Sequence, residues 1–307
     1  MLAVLEAFAV IAVIIAVGAL VGRSNVLGDN ARMVLNRVAF HIGVPALVLL
    51  SLADSTPSEV FSLTLLVSAL TTLIVFTGYF AIAVTVRRHD RADATIGAWA
   101  ASWVNAGNLG IPLSAYVLGS ITEASALIVF QTVVLVPLGV AVLNSAGRDG
   151  GSVAAQIKGL VTNPIIVASA IGTVLALTGL TLPRAIHQPL DLLADLAIPT
   201  VLLAFGIALV TQTGGKGKEN RVDLWLAVVF KVFLMPALAY ALARWAFGLT
   251  PEQTAVATVL AALPAAQNLN TYAAVFERGE KLARDATLIT TLASVPAIAG
   301  IAYLLGL

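Results

Sequence analysis

The chain has no cysteine, which excludes a disulfide framework, a thiol nucleophile and a thiolate metal site. Its 3 histidines, His41, His89 and His187, are scattered, so they offer no metal-ligand cluster. Charge is scarce as well. Charged residues are 11% of the chain, against about a quarter in soluble domains, while hydrophobic residues reach 59% and mean hydropathy is +0.98. That balance belongs to a polytopic membrane protein. A net charge of +1 without a long basic run gives no footing for nucleic acid. An enzyme would need paired carboxylates, a metal cluster or a nucleophile with its base. With so little to build one from, neither an enzyme nor a cofactor is expected. No small-residue cleavage pattern follows Gly18, and Glu6 stands where a signal peptide would be basic, so the opening stretch reads as a span. No loop is long enough for a soluble regulatory domain.

Counting apolar windows of membrane length gives ten spans, at roughly 4–22, 33–53, 60–86, 95–118, 122–143, 158–178, 190–211, 223–247, 253–275 and 285–306. Basic residues gather after every odd span: Arg23, Arg32 and Arg37; Arg87, Arg88 and Arg91; Arg148 and Lys158; Lys216, Lys218 and Arg221; Arg278, Lys281 and Arg284. The positive-inside rule then places both termini outside the cytoplasm of a cell (inner or plasma) membrane. Five spans per half is an odd number, so the halves, 1–150 and 151–307, enter the bilayer as inverted repeats. The Gly- and Ser-rich run Asn144–Ser152 is the junction, and Thr213–Glu219 is a second linker.

Two polar segments interrupt these apolar spans: Asn105-Ala-Gly-Asn-Leu-Gly-Ile-Pro112 in span four and Pro264-Ala-Ala-Gln-Asn-Leu-Asn-Thr-Tyr272 in span nine. At an offset of about 160 residues, Asn108-Leu109 falls on Asn268-Leu269, Tyr116 on Phe276 and Gly119 on Gly279. A duplicated broken span marks a transporter, because unwound backbone at membrane depth survives only where protein buries it or a watery cavity meets it. The breaks are expected near Asn108 and Asn268, crossing at the midplane. Gly107 allows close approach, Pro112 restarts the second half-helix, and Pro264 opens the second break. Half-helix N-termini with unpaired N–H groups suit a carboxylate.

The amides Asn105, Asn108, Gln267, Asn268 and Asn270, with Gly110 beside them, are therefore substrate-binding candidates, and Gln131 in span five joins them. The alternative is that an amide staples broken backbone, or for Gln131 that it bonds a neighbouring helix. Lys231 is the basic residue deepest inside a span, a functional candidate for coupling; the alternative is snorkelling to the cytoplasmic interface. Pro45 and Pro199 sit in similar contexts and are expected to kink matched helices. Neither broken segment carries a carboxylate, which argues against a sodium or other metal site there.

The segment NAGNLGIPLSAYVLG from Asn105, its partner LPAAQNLNTYAAVFERG from Leu263 and the ten-span architecture resemble the auxin efflux carrier family over essentially the whole chain. That family includes bacterial carboxylate permeases and the plant PIN-FORMED carriers. The resemblance implies an all-α fold with a scaffold of spans 1, 2, 6 and 7 and a transport domain of spans 3–5 and 8–10, working as an elevator. It implies small organic anions such as auxin, malate or malonate as substrates, bound where spans four and nine cross, and a homodimer formed through the scaffold. A sodium- or proton-coupled transporter of related fold, similar to bile acid symporters, is the competing expectation. The long cytoplasmic loop of many plant members is absent, so their phosphorylation control is not carried over.

Overall fold

The computed structural model describes residues 2–56, 62–146, 162–211 and 221–306. The expected repeat boundary at 150/151, most of the junction, the second linker, Arg148, Lys158, Lys216, Lys218 and the side chain of Glu6 lie outside the described residues. Among the described residues the elements are all helices. Six of the described helices are long and apolar enough to cross a membrane: α2 (Ala31–Ala53), α3 (Leu63–Thr85), α6 (Thr122–Asn144), α8 (Arg184–Thr211), α9 (Arg221–Ala246) and α12 (Glu280–Leu305). Between them run α1 (Leu2–Ser24), α4 (Arg91–Ser102), α5 (Ala106–Leu118), α7 (Pro164–Thr178), α10 (Pro251–Ala262) and α11 (Asn268–Val275).

Local chemistry sets the ends. The Asn163 side chain accepts from the N–H of Ile165 at 2.9 Å, Pro164 fills the first helical position, and Gly179 closes α7 at φ +67. Helix α10 opens on a reciprocal cap between Thr250 and Gln253, with Pro251 at its first position. Pro45 follows a wide turn at Ala39–Gly43, and Pro199 follows an irregular residue, Leu196. In both places the missing proline N–H falls where the regular ladder is already interrupted.

The structure divides into two compact units. Unit 1 comprises Met1–Ser62, Gly107–Val129 and Ile157–Thr213; unit 2 comprises Leu63–Ala106, Phe130–Gln156 and Gly214–Leu307. The expected grouping by spans differs from these units at residues 107–129, which pack with unit 1. Within unit 1, α1 lies along the second half of α8 and α7 lies against α2. The α1–α8 approach is backbone to backbone. A Cβ on Gly18 would collide with Leu203, and one on Gly206 with Ile15 and Ala19. Small residues at such a crossing are how apolar helices gain contact when lipid offers no hydrophobic driving force between them.

Within unit 2, α3 packs on α4 and α10, and α10 packs on α9 and α12. Trp99 of α4 is fully buried, filling the space that Gly139 leaves on α6. One end of the unit is pinned by charge: the carboxylate of buried Asp223 accepts from Arg87 Nε at 2.9 Å and pairs with His89 Nε2 at 2.6 Å, while Tyr79 donates to its backbone carbonyl. Arg87 and His89 leave α3 on the same short connection to α4, so this pairing ties that loop to the start of α9.

Adding only a methyl group separates packing from propensity. Gly206→Ala is expected to destabilise by about 1–3 kcal/mol through overpacking, whereas Gly300→Ala, with open space around it, is expected to be neutral or stabilising by up to about 1 kcal/mol. Melting curves of the two variants in one detergent test this; equal melting temperatures would remove the close α1–α8 contact from the account.

Candidate functional site

The helical stretches 91–118 and 251–275, where the sequence leads one to expect spans four and nine, are both broken, and in unit 2 the breaks pair with each other. Helix α4 stops at Ser102 and α10 at Ala262; between them Val104 and Ala265 form an antiparallel bridge. The Asn105 N–H donates to the Pro264 carbonyl at 2.8 Å, and the Ala266 N–H donates to the Trp103 carbonyl at 2.9 Å. Two strands of minimal length thus satisfy each other where the helices let go.

The outward N–H groups of the same bridge are satisfied by side chains. Gln131 Oε1 accepts from the Val104 N–H at 2.9 Å, and Thr290 Oγ1 accepts from the Ala265 N–H at 3.1 Å. The Thr290 hydroxyl itself donates to the Ala286 carbonyl at 2.7 Å. Each break is therefore braced by the second helix after it, α6 for the first and α12 for the second. Gln131 opens a wide turn, Gln131–Leu135, which swings its amide off the regular helical path.

The breaks differ in position from the sequence expectation. In span four the non-helical residues precede α5, so Gly107 and Pro112 lie inside the resumed helix, and Asn108 sits half-buried in its wide first turn. The physical reason is the pairing itself, which needs Trp103–Asn105 extended, whereas the wide turn at Ala106–Gly110 absorbs the donor that Pro112 lacks. Gly110 is buried on the same turn of α5. In span nine Pro264 lies between the end of α10 at Ala262 and the start of α11 at Asn268.

Among the remaining amides, Asn105 is 4% exposed and Gln267 8%, both beside the bridge. The Gln267 carbonyl accepts from Asn270 Nδ2 at 3.2 Å, and Thr287 Oγ1 lies within 3.4 Å of the same nitrogen. Asn268 is exposed at the first position of α11. Trp99, Trp103 and Tyr272 stack around this corner with ring centroids 5.3–5.7 Å apart, giving unit 2 an aromatic wall next to the amides. Neither Thr290 nor this wall was singled out by sequence. The signal for Thr290 was its place within one residue of the repeat partner of Gln131.

Lys231 does not snorkel. It is fully buried, in a wide turn of α9 at Phe230–Leu234, and Nζ donates to the Ala261 carbonyl at 2.8 Å and lies 3.1 Å from Met235 Sδ. Ala261 belongs to the last turn of α10, so the amine caps the carboxyl end of the half-helix that runs into the second break.

A cavity of about 700 Å³ opens elsewhere in unit 2, lined by Asp93, Asp223, Glu277 and Glu280 together with His89, Arg278 and Lys281. Burial, and then the Asp90 carboxylate, push the Asp93 carboxyl above its usual range. A lining with more carboxylates than cations repels anions.

The chain matches the family model "Membrane transport protein" twice, over residues 3–155 and 151–302. It is 27% identical over 279 residues to a Rhizobium meliloti (strain 1021) protein named "Putative malonate transporter", covering 88% of this chain and 86% of that one. To an uncharacterized transporter of Escherichia coli (strain K12) it is 23% identical over 267 residues, 83% of each chain. To an uncharacterized transporter of Methanothermobacter thermautotrophicus it is 27% identical over 203 residues, 64% of this chain and 65% of the other.

The braces predict their own cost. Gln131→Leu or Thr290→Val leaves a buried backbone N–H without an acceptor and is expected to lower stability by about 1–3 kcal/mol. Chemical unfolding of each variant in detergent measures it; variants as stable as the parent would show that the bridge does not depend on these side chains.

Proposed function

The chain belongs to the membrane transport protein family, and from that premise we propose that it is a secondary transporter of small organic anions with its binding site at the paired breaks of spans four and nine. The observation that carries this reading is the Val104–Ala265 bridge: broken backbone held at mid-span, amid amides and aromatic rings, with no carboxylate in either broken segment. Buried Asn105 and Gln267, partly buried Asn270 and exposed Asn268 are the contacts proposed at the bridge, and Asn108 and Gly110, in the turn that follows the first break, are proposed as further substrate-binding residues. Gln131 accepts from the Val104 N–H with its carbonyl, so its part is to hold the break, and its amide N–H groups are proposed as donors to the anion. The name of the Rhizobium meliloti relative makes malonate the first substrate to try.

Two family matches of similar length support an internal duplication. With the charge pattern of the loops, they support ten spans as two inverted five-span repeats, with both termini outside the cytoplasm of the cell membrane. Elevator-type alternating access, with spans one, two, six and seven as scaffold and a homodimer formed through them, completes the proposal. The gathering of those four spans in unit 1 supports the scaffold assignment.

Proteoliposomes containing the purified protein are expected to accumulate radiolabelled malonate above empty liposomes. Asn268→Ala and Asn108→Ala are each expected to weaken malonate binding about two- to thirteenfold, the equivalent of a lost hydrogen bond of about 0.5–1.5 kcal/mol, with little change in melting temperature. No uptake of malonate or of any other mono- or dicarboxylate would end the organic-anion reading. Unchanged binding in both variants would leave these amides only a backbone-stapling role.

A further inference from the structure

We propose that Lys231 carries the coupling proton: one proton binds Nζ together with the organic anion at the paired breaks and leaves with it. This rests on the organic-anion reading above. The donor count of the pocket motivates it. Nζ faces two acceptors, the Ala261 carbonyl and the Met235 thioether, both uncharged. A neutral amine has two hydrogens to give and one lone pair; an ammonium has a third hydrogen and a full charge, for which the site supplies no anion.

The titratable groups on the elements packed against this turn are engaged or distant. Asp223, about two turns earlier on α9, is held by Arg87 and His89, and the Tyr79 hydroxyl of α3 donates to the Asp223 backbone. Arg91 and Asp93 lie in the first turn of α4, Glu252 in the first turn of α10, and Glu280, Lys281, Arg284 and Asp285 in the first two turns of α12. Tyr303 lies in the last turns of α12, Arg221 opens α9, and Tyr240 and Arg244 lie toward its end. None of them contacts Nζ.

The missing counter-charge would come from the substrate. Ala261 is three residues before Pro264, at most about 11 Å along an extended chain, so an anion at the bridge lies within strong electrostatic reach in a site poor in water. Binding forms one N–H bond on the amine lone pair, and the carboxylate offsets the new charge. Release breaks that bond and returns the proton to the water on the side where the anion departs. The repeat position of Lys231, offset by about 160 residues, holds Thr71, so one chain carries one such amine.

Calorimetric titration of malonate into the purified protein, in two buffers of different ionisation enthalpy and at pH values where malonate is fully ionised, counts the protons bound. The expected result is close to one proton taken up per malonate and an affinity that falls about tenfold per pH unit. Lys231→Gln keeps a donor for the Ala261 carbonyl and is expected to bind with no proton uptake and a flat pH profile. Should that variant fail to fold, Lys231→Met carries the same expectation. Malonate binding without proton uptake in the parent, or with the same uptake in the variant, overturns the proposal and leaves organic-anion transport standing. No binding of malonate or of any related carboxylate overturns both.

Discussion

A peptide group at membrane depth has no water to bond, and every broken turn must find its partners inside the protein. The Val104–Ala265 bridge answers that constraint. Four N–H groups, those of Val104, Asn105, Ala265 and Ala266, are freed where α4 and α10 end, and all four have acceptors: two backbone carbonyls of the opposite break and the side chains of Gln131 and Thr290. Pro264 contributes to the economy of the arrangement, since it adds a carbonyl to the bridge and no donor.

Much of the rest of unit 2 follows from holding those two breaks together. Helices α6 and α12 must bring a polar atom to the bridge, and α6 does so with a wide turn beginning at Gln131. Helix α9 has a similar wide turn at Lys231, whose amine meets the end of α10. Trp99 needs the gap at Gly139 so that α4 can lie close to α6, and its ring forms one side of the aromatic corner with Trp103 and Tyr272. These are different side chains answering one demand: unpaired backbone must be enclosed without being crowded.

Unit 1 is held by a different device. Its close contacts include glycine against backbone, as at Gly18 and Gly206, and these need no polar partner because α1 and the second half of α8, where they meet, are continuous helices. The contrast is one of chemistry, with polar bracing in one unit and small-residue packing in the other.

The sequence by itself determined the membrane class, through its scarcity of charge and length of apolar runs, and it determined that spans four and nine are interrupted. Both follow from composition and local breakers, which act over a few residues. It also pointed to the amides near those interruptions. The register of the break in span four was not legible, because Gly107 and Pro112 are helix breakers by propensity, yet a wide turn accommodates them once Trp103–Asn105 has been recruited to the bridge. Thr290 was hidden for a related reason: a threonine in a helix ordinarily bonds the carbonyl four residues back, as this one does, and only the fold brings the Ala265 N–H to its other side. For Lys231 the sequence left two directions open along one flexible stem. Tertiary structure decided between them, because an acceptor at the end of α10, 30 residues away in the chain, lies within reach of the amine inside the protein.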